Sequence, residues 1–286
     1  TTRPSHRAQS RRREEYAYRA SSSLTNLKVG QLLTRSIPKI KLGVIMQSLK
    51  IIGLLIVSSL FVGTAIADDH AEAGPFYAFY HLQTANPAAV VAAMDKFWAS
   101  DCGKKYPADV ALSQEMFNGG NTSTHFIINT FQNSEDQAAA AEIMRSCPSA
   151  LSFLAEFYSD AQATSQYMGA AAIDENDWTQ DSVFAKYDVI VEPQNQAAYA
   201  AAYADMMEKI SKDVDVRSYG LGAIYFGRDA FTHWVWTGAR SIPELSSISE
   251  KIQAHSAFAE FNGKVGSMRT IVNTTQVQIL KGYERQ

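Results

Sequence analysis

Between residues 76 and 280 the apolar and polar positions switch repeatedly between strand-like alternation and helical spacing. Residues 76–83 form an aromatic-rich run that predicts a strand. Asn86 can cap a helix, Pro87 suits its first turn, and residues 88–98 continue it. Residues 108–117 and 124–131 read as strands on either side of Asn118-Gly119-Gly120-Asn121, a turn signal. An alanine-rich helix follows from Ser134 to about Ser146. Pro148 interrupts it, a second piece runs over 149–158, and residues 166–173 close the series as a strand. The order then repeats. Residues 182–191 predict a strand and 194–210 a helix with Tyr199, Tyr203 and Met206 on one face. Residues 217–226 and 231–237 predict strands, 243–263 a helical region, and 269–280 a last strand. The acidic, polar stretch 174–181 reads as the linker.

The repetition extends to residue identity. Tyr77-Ala78-Phe79-Tyr80-His81 matches Phe184-Ala185-Lys186-Tyr187-Asp188, and Asn86-Pro87-Ala88-Ala89 matches Asn195-Gln196-Ala197-Ala198. Ser123-Thr124-His125-Phe126 matches Phe231-Thr232-His233-Trp234, and Ala155-Glu156-Phe157 matches Ala259-Glu260-Phe261. A period this long marks a duplicated domain, since solenoid repeats run at roughly 20–50 residues. Each half, 76–173 and 182–280, has the β-α-β-β-α-β order of a ferredoxin-like unit. Two such units in tandem resemble the dimeric α+β barrel superfamily fused into one chain. That resemblance implies an α+β fold in which the two sheets pair. The superfamily includes cofactor-free monooxygenases, haem enzymes of the chlorite dismutase type and proteins without known activity, so the fold leaves the chemistry open.

Upstream lies a different pattern. Residues 46–67 carry Lys50, an apolar core from Ile51 to Gly63, and the small-residue site Ala65-Ile66-Ala67, as a secretory signal does. Lys50 leaves too short an apolar run for a comfortable membrane span of roughly 17–25 residues. Residues 46–67 are therefore expected to be a cleaved signal, with translation starting at Met46 and residues 1–45 lying upstream of the native protein. The product is expected to be secreted or periplasmic and free of the membrane after cleavage. This changes the charge. Residues 1–67 hold 11 of the 26 Lys and Arg and 2 of the 29 Asp and Glu, so residues 68–286 carry 15 against 27, a net charge of −12. Such a surface repels phosphate backbones and argues against nucleic-acid binding.

The chemistry-bearing residues are few. His125 and His233 occupy equivalent places, each after Thr and before an aromatic ring. If the first and third strands of a unit are neighbours, His81 approaches His125 and Asp188 approaches His233. An Asp–His couple can hold one imidazole tautomer and raise its basicity, so His233 and Asp188 are the expected catalytic pair. The alternative is a pair of inert histidines inherited by duplication. Tyr219, Tyr225, Phe226, Trp234 and Trp236 give the second half an aromatic excess suited to a ligand wall, with Arg217 and Arg228 placed to meet an anionic group. The same rings would serve equally to fill a core. His255, fourteen residues before Arg269, is similar in placement to the haem-ligating His of chlorite-dismutase-like proteins, which implies haem as an alternative cofactor. Asp68-Asp69-His70, at the expected mature terminus, can hold Cu(II) or Ni(II) in a square plane of nitrogens. Cys102 and Cys147 are the two cysteines; export permits a bridge between them, and separate thiols are the alternative. Phosphate loops, nucleophile elbows and HExxH helices are absent from the sequence.

The leading expectation is an exported small-molecule-binding protein of the α+β barrel type, with no cofactor, extending to a cofactor-free monooxygenase-like enzyme. The rivals are a non-catalytic structural or interaction protein with a filled barrel, and a haem enzyme. Monomer and homo-oligomer both remain open. N-terminal sequencing of exported protein is expected to begin at Asp68, and recovery of protein that retains residues 1–45 would refute that processing.

Overall fold

A computed structural model describes residues 75–227 and 230–286. The expected leader, His70 and Arg228 lie outside the described residues. The first half runs β1 (Phe76–Gln83), α1 (Pro87–Trp98), β2 (Asp109–Met116), β3 (His125–Phe131), α2 (Ser134–Ser146), α3 (Pro148–Asp160) and β4 (Gln162–Glu175). The second runs β5 (Val183–Val191), α4 (Gln196–Asp213), β6 (Ser218–Phe226), β7 (His233–Ala239), α5 (Ile242–Ala254), α6 (Ser256–Val265) and β8 (Arg269–Tyr283). Local chemistry sets the boundaries. Asn86 accepts from the Ala89 amide and starts α1, while Asn133 does the same for α2 through the Asp136 amide. Pro148 opens α3. The expected helix over 243–263 is two helices, because His255 leaves the helical conformation and its ring caps the second.

The strands form a closed barrel in the order β1-β3-β2-β8-β5-β7-β6-β4. Within each half the order is that of a ferredoxin-like sheet, and the halves join where β4 pairs with β6 and β8 with β2. Both seam strands are longer than their sequence pattern predicts. β4 pairs with β1 along Gln162–Ala170 and with β6 along Met168–Glu175, so its two partners are staggered and the strand must span both. β8 does the same between β5 and β2.

Because side chains alternate across a strand, closure creates three apolar cores. One lies between each sheet and its helices, around Leu82, Phe97 and Phe157 in the first half and Val189, Tyr203 and Phe261 in the second. The third fills the barrel with Tyr77, Phe79, Phe126, Tyr167, Phe184, Trp234 and Trp236. Glycine makes room for the largest rings. A Cβ on Gly220 would fall 2.1 Å from the Trp236 ring, and one on Gly222 would fall 2.1 Å from that of Trp234. Both indoles therefore lie against bare backbone. Cys102 and Cys147 are joined, tying the end of α1 to the break between α2 and α3. A loop of this length is worth about 4 kcal/mol on chain entropy.

Gly222→Ala is expected to destabilise the fold by about 1–3 kcal/mol through overpacking against Trp234. Part of that loss should return when Trp234→Phe is added. Urea denaturation measures both, and an unchanged midpoint in the single variant would contradict this packing.

Candidate functional site

All neighbouring strands in the ring are antiparallel. β1 and β5 sit half a turn apart in the order, so they face each other across the barrel and run the same way. Equivalent residues of the two halves thus meet at the same end. At the end where β1 and β5 finish, the interior turns from aromatic to charged. β1 contributes His81, β2 contributes Glu115, and β5 contributes Lys186 and Asp188. All four are buried.

The four groups form two hydrogen-bonded pairs. Nδ1 of His81 lies 3.2 Å from Oε2 of Glu115, and the Lys186 ammonium donates to Oδ1 of Asp188. Lys186 also stands 5.1 Å from the centre of the Phe231 ring and 5.8 Å from that of Tyr167, within cation–π range. Burial on its own would raise the pKa of Glu115. The hydrogen bond and charge of His81, with help from Ser123 and Lys186, outweigh it and hold the carboxyl below its ordinary value. The Tyr167 hydroxyl is pushed up by burial and then by the carboxylates of Asp188 and Glu115, so it remains a phenol. Such buried pairs are a poor source of stability, since well-packed apolar residues serve at least as well, whereas removing one partner costs roughly 3–5 kcal/mol. Their presence inside an otherwise aromatic core points to a use beyond packing.

Below this charged layer lies a cavity of about 70 Å³. Tyr77, Phe79, Phe126, Trp178, Trp234 and Trp236 supply its rings, and Ser113 and Lys186 its polar groups. Toward the turn between the halves, Trp178 meets Tyr77 and Phe184 edge to face. There the Tyr77 hydroxyl donates to Asp174 at 2.6 Å. Ser218 donates to Asp181 at 2.6 Å, and Arg217 pairs with Asp181.

Measured against this geometry, the sequence-predicted residues divide. Trp234 and Trp236 line the cavity. Asp188 faces the interior, but His233 does not: Asp188 stands opposite Trp234, and His233 opposite Val189, on the helix-facing side. The expected Asp188–His233 couple is not formed, because the register is displaced by one residue and one residue changes the face. His81 and His125 are separated in the same way, with His81 opposite Phe126 and His125 opposite Leu82. Each outward histidine instead sets its Nδ1 2.8 Å from the hydroxyl of the preceding threonine, Thr124 or Thr232. Tyr219 belongs to the helix-facing core, Tyr225 and Phe226 are exposed, and Arg217 serves the Asp181 network.

His255 does not fit a haem ligand. Its Nδ1 accepts from the Ala257 amide at 3.1 Å, and Nε2 faces Asp213 at 3.1 Å, which leaves no lone pair for iron. Arg269 is bound to Tyr199 and Asn262. The cavity between the second sheet and its helices is about 100 Å³, far too small for a haem. Among the described residues, no group of three or more His, Cys, Asp or Glu could hold a metal ion.

Of the four residues that build the charged layer, His81 and Asp188 were singled out from the sequence, with other partners, and Glu115 and Lys186 were not. One signal was present: Lys186 and Asp188 fall in phase with Phe184, as His81 does with Tyr77 and Phe79.

This closed barrel of two ferredoxin-like halves is the dimeric α+β barrel. A "putative monooxygenase" from Fusobacterium nucleatum superposes with a TM-score of 0.53 at 15% identity, covering 74% of this chain and 95% of its own. One from Lactobacillus acidophilus gives 0.51 at 10% identity, over 73% and 98%. An anthrone oxidase-like protein gives 0.53 at 11% identity, over 76% and 97%. At these identities the likeness is one of fold. No protein-family profile and no curated protein matches the sequence.

The depressed pKa of Glu115 carries a pH signature. A folded-state value below the unfolded one contributes stability above the unfolded pKa, and that contribution is lost as pH falls through the folded value. The window therefore opens near 4.5, the ordinary value, and extends downward. Glu115→Gln should be less stable than the parent at neutral pH, and the gap should narrow through this window. A gap independent of pH in denaturant titrations would refute it.

Proposed function

We propose that this protein binds a small, flat, mostly apolar molecule inside the barrel, with one polar end turned toward Lys186 and Ser113. The observation that carries this reading is the interior cavity itself, walled by aromatic rings with Lys186 and Ser113 as its polar residues. Ligand pockets combine apolar walls with a few placed polar groups in this way. A monooxygenase-like activity without a bound cofactor is the enzymatic form of the proposal. It draws support from the names of the similar structures, two of them "putative monooxygenase" and one anthrone oxidase-like. Export is part of the same reading. The signal-like pattern of 46–67 supports it, as does the Cys102–Cys147 bridge, a bond that persists mainly outside reducing compartments. The tight seating of Trp234 and Trp236 against glycine backbone favours the rival, a barrel filled for structural purposes.

Intrinsic fluorescence separates the two. Three of the four tryptophans line the cavity, and Trp98 packs in the first helix–sheet core. Titration with 4-nitrophenol is expected to quench emission saturably. Ser113→Leu, which fills the cavity from β2, should weaken binding by about tenfold or more, equivalent to about 1.4 kcal/mol. Absence of saturable quenching in the parent protein would leave the filled-barrel reading standing.

A further inference from the structure

Besides the hydroxyl of Thr130, two polar atoms inside the barrel are buried and have no hydrogen-bond partner among the described residues: Nε2 of His81 and the hydroxyl of Tyr167. Their rings lie with centroids 5.4 Å apart in a stacked arrangement. The histidine carries the stronger implication. An ionised Glu115 can only accept at Nδ1, so the imidazole proton resides there and Nε2 presents its lone pair. A carboxylate that holds an imidazole in one tautomer also stabilises the imidazolium formed when Nε2 takes up a proton. Such a base, buried and unpartnered, is suited to an acidic hydrogen that the described residues do not supply.

The dyad lies next to the cavity. Ser113, which lines it, is two residues before Glu115 on the same face of β2. Phe126, which also lines it, has its ring centroid 5.2 Å from that of His81. Lys186 also lines the cavity, with its ammonium paired to Asp188. His81 and Glu115 are not themselves lining residues; they border the cavity behind Ser113 and Phe126, inside the same barrel as Lys186. The arrangement also occurs once. The equivalent of His81 is Asp188, and the equivalent of Glu115 is Ile224, since the amides of Glu115 and Ile224 bond to the carbonyls of Thr124 and Thr232 respectively.

We infer that His81 is the base of this site, positioned by Glu115, and that the ligand class is a phenol or enol whose hydroxyl it ionises. The inference rests on the cavity reading above. In the step, the ligand O–H bond breaks and its proton joins Nε2 of His81. The electron pair stays on oxygen, giving a phenolate or enolate that faces the Lys186 ammonium and the Ser113 hydroxyl. His81 becomes an imidazolium against the Glu115 carboxylate. No electron is transferred.

The probe is again 4-nitrophenol, whose phenolate has its own visible band. A pH titration of the probe with saturating protein is expected to show ionisation about one pKa unit or more below the free compound. Glu115→Gln should return that midpoint toward the free value, a change of about tenfold in the ionisation constant. His81→Phe, which keeps a ring in the stack, should do the same, and His125→Gln, on the outer face, should not. Near-ultraviolet circular dichroism reports whether each variant is folded, and the parent titration stands without them. Saturable quenching with an unshifted midpoint would overturn the base and leave the cavity reading intact. A shift that survives in folded Glu115→Gln and His81→Phe would also overturn it. No saturable quenching at all would remove both.

Discussion

Everything in this molecule depends on the pairing of β4 with β6 and of β8 with β2. A ferredoxin-like sheet has helices on one face only, so its other face must be covered. It also ends in edge strands with unpaired backbone groups, which are a liability in water. Pairing the edges of one half with those of the other answers both needs. The backbone groups are satisfied across the seams, and the two uncovered faces become the inside of one barrel. The stagger of the seam strands, the third apolar core and the interior cavity all follow from that closure.

Closure also decides which polar residues are buried. In a single open sheet, Lys186 and Asp188 would be the wet side of an amphipathic strand whose dry side is Val183, Ala185, Val189 and Val191. Around the barrel the same side chains point at the opposite wall and lose water. There they are paired with each other and stand near His81 and Glu115. The duplication then gives two equivalent positions at one end of the chamber, and divergence has made them complementary. One half supplies the His81–Glu115 pair and the other the Lys186–Asp188 pair. Aromatic rings fill the rest, with Trp234 and Trp236 accommodated by the glycines of β6.

The outward histidines show the same logic from the opposite side. His125 and His233 are held alike by the hydroxyl of the threonine before them, and burial keeps His125 below its ordinary pKa, with Glu115 opposing weakly. The sequence motif that repeats most clearly, Thr-His-aromatic, is thus a feature of strand β3 and its counterpart β7. The aromatic residue of the motif is the one that reaches the interior.

The sequence by itself determined the element order, the duplication and the fold class. Those rest on local signals: caps at Asn86 and Asn133, proline at 87 and 148, the Asn118–Asn121 turn and the alternation along β1 and β5. It also marked Trp234 and Trp236 as candidates for a wall. Only the tertiary structure decided which face of each strand looks inward, because a displacement of one residue exchanges the faces and leaves the pattern unchanged. That choice placed Asp188 in the chamber and His233 outside it. It also brought His81 to Glu115, residues on strands that are consecutive in sequence but do not pair directly, since β3 lies between them. Their meeting across Phe126 depends on barrel curvature, which no local pattern encodes.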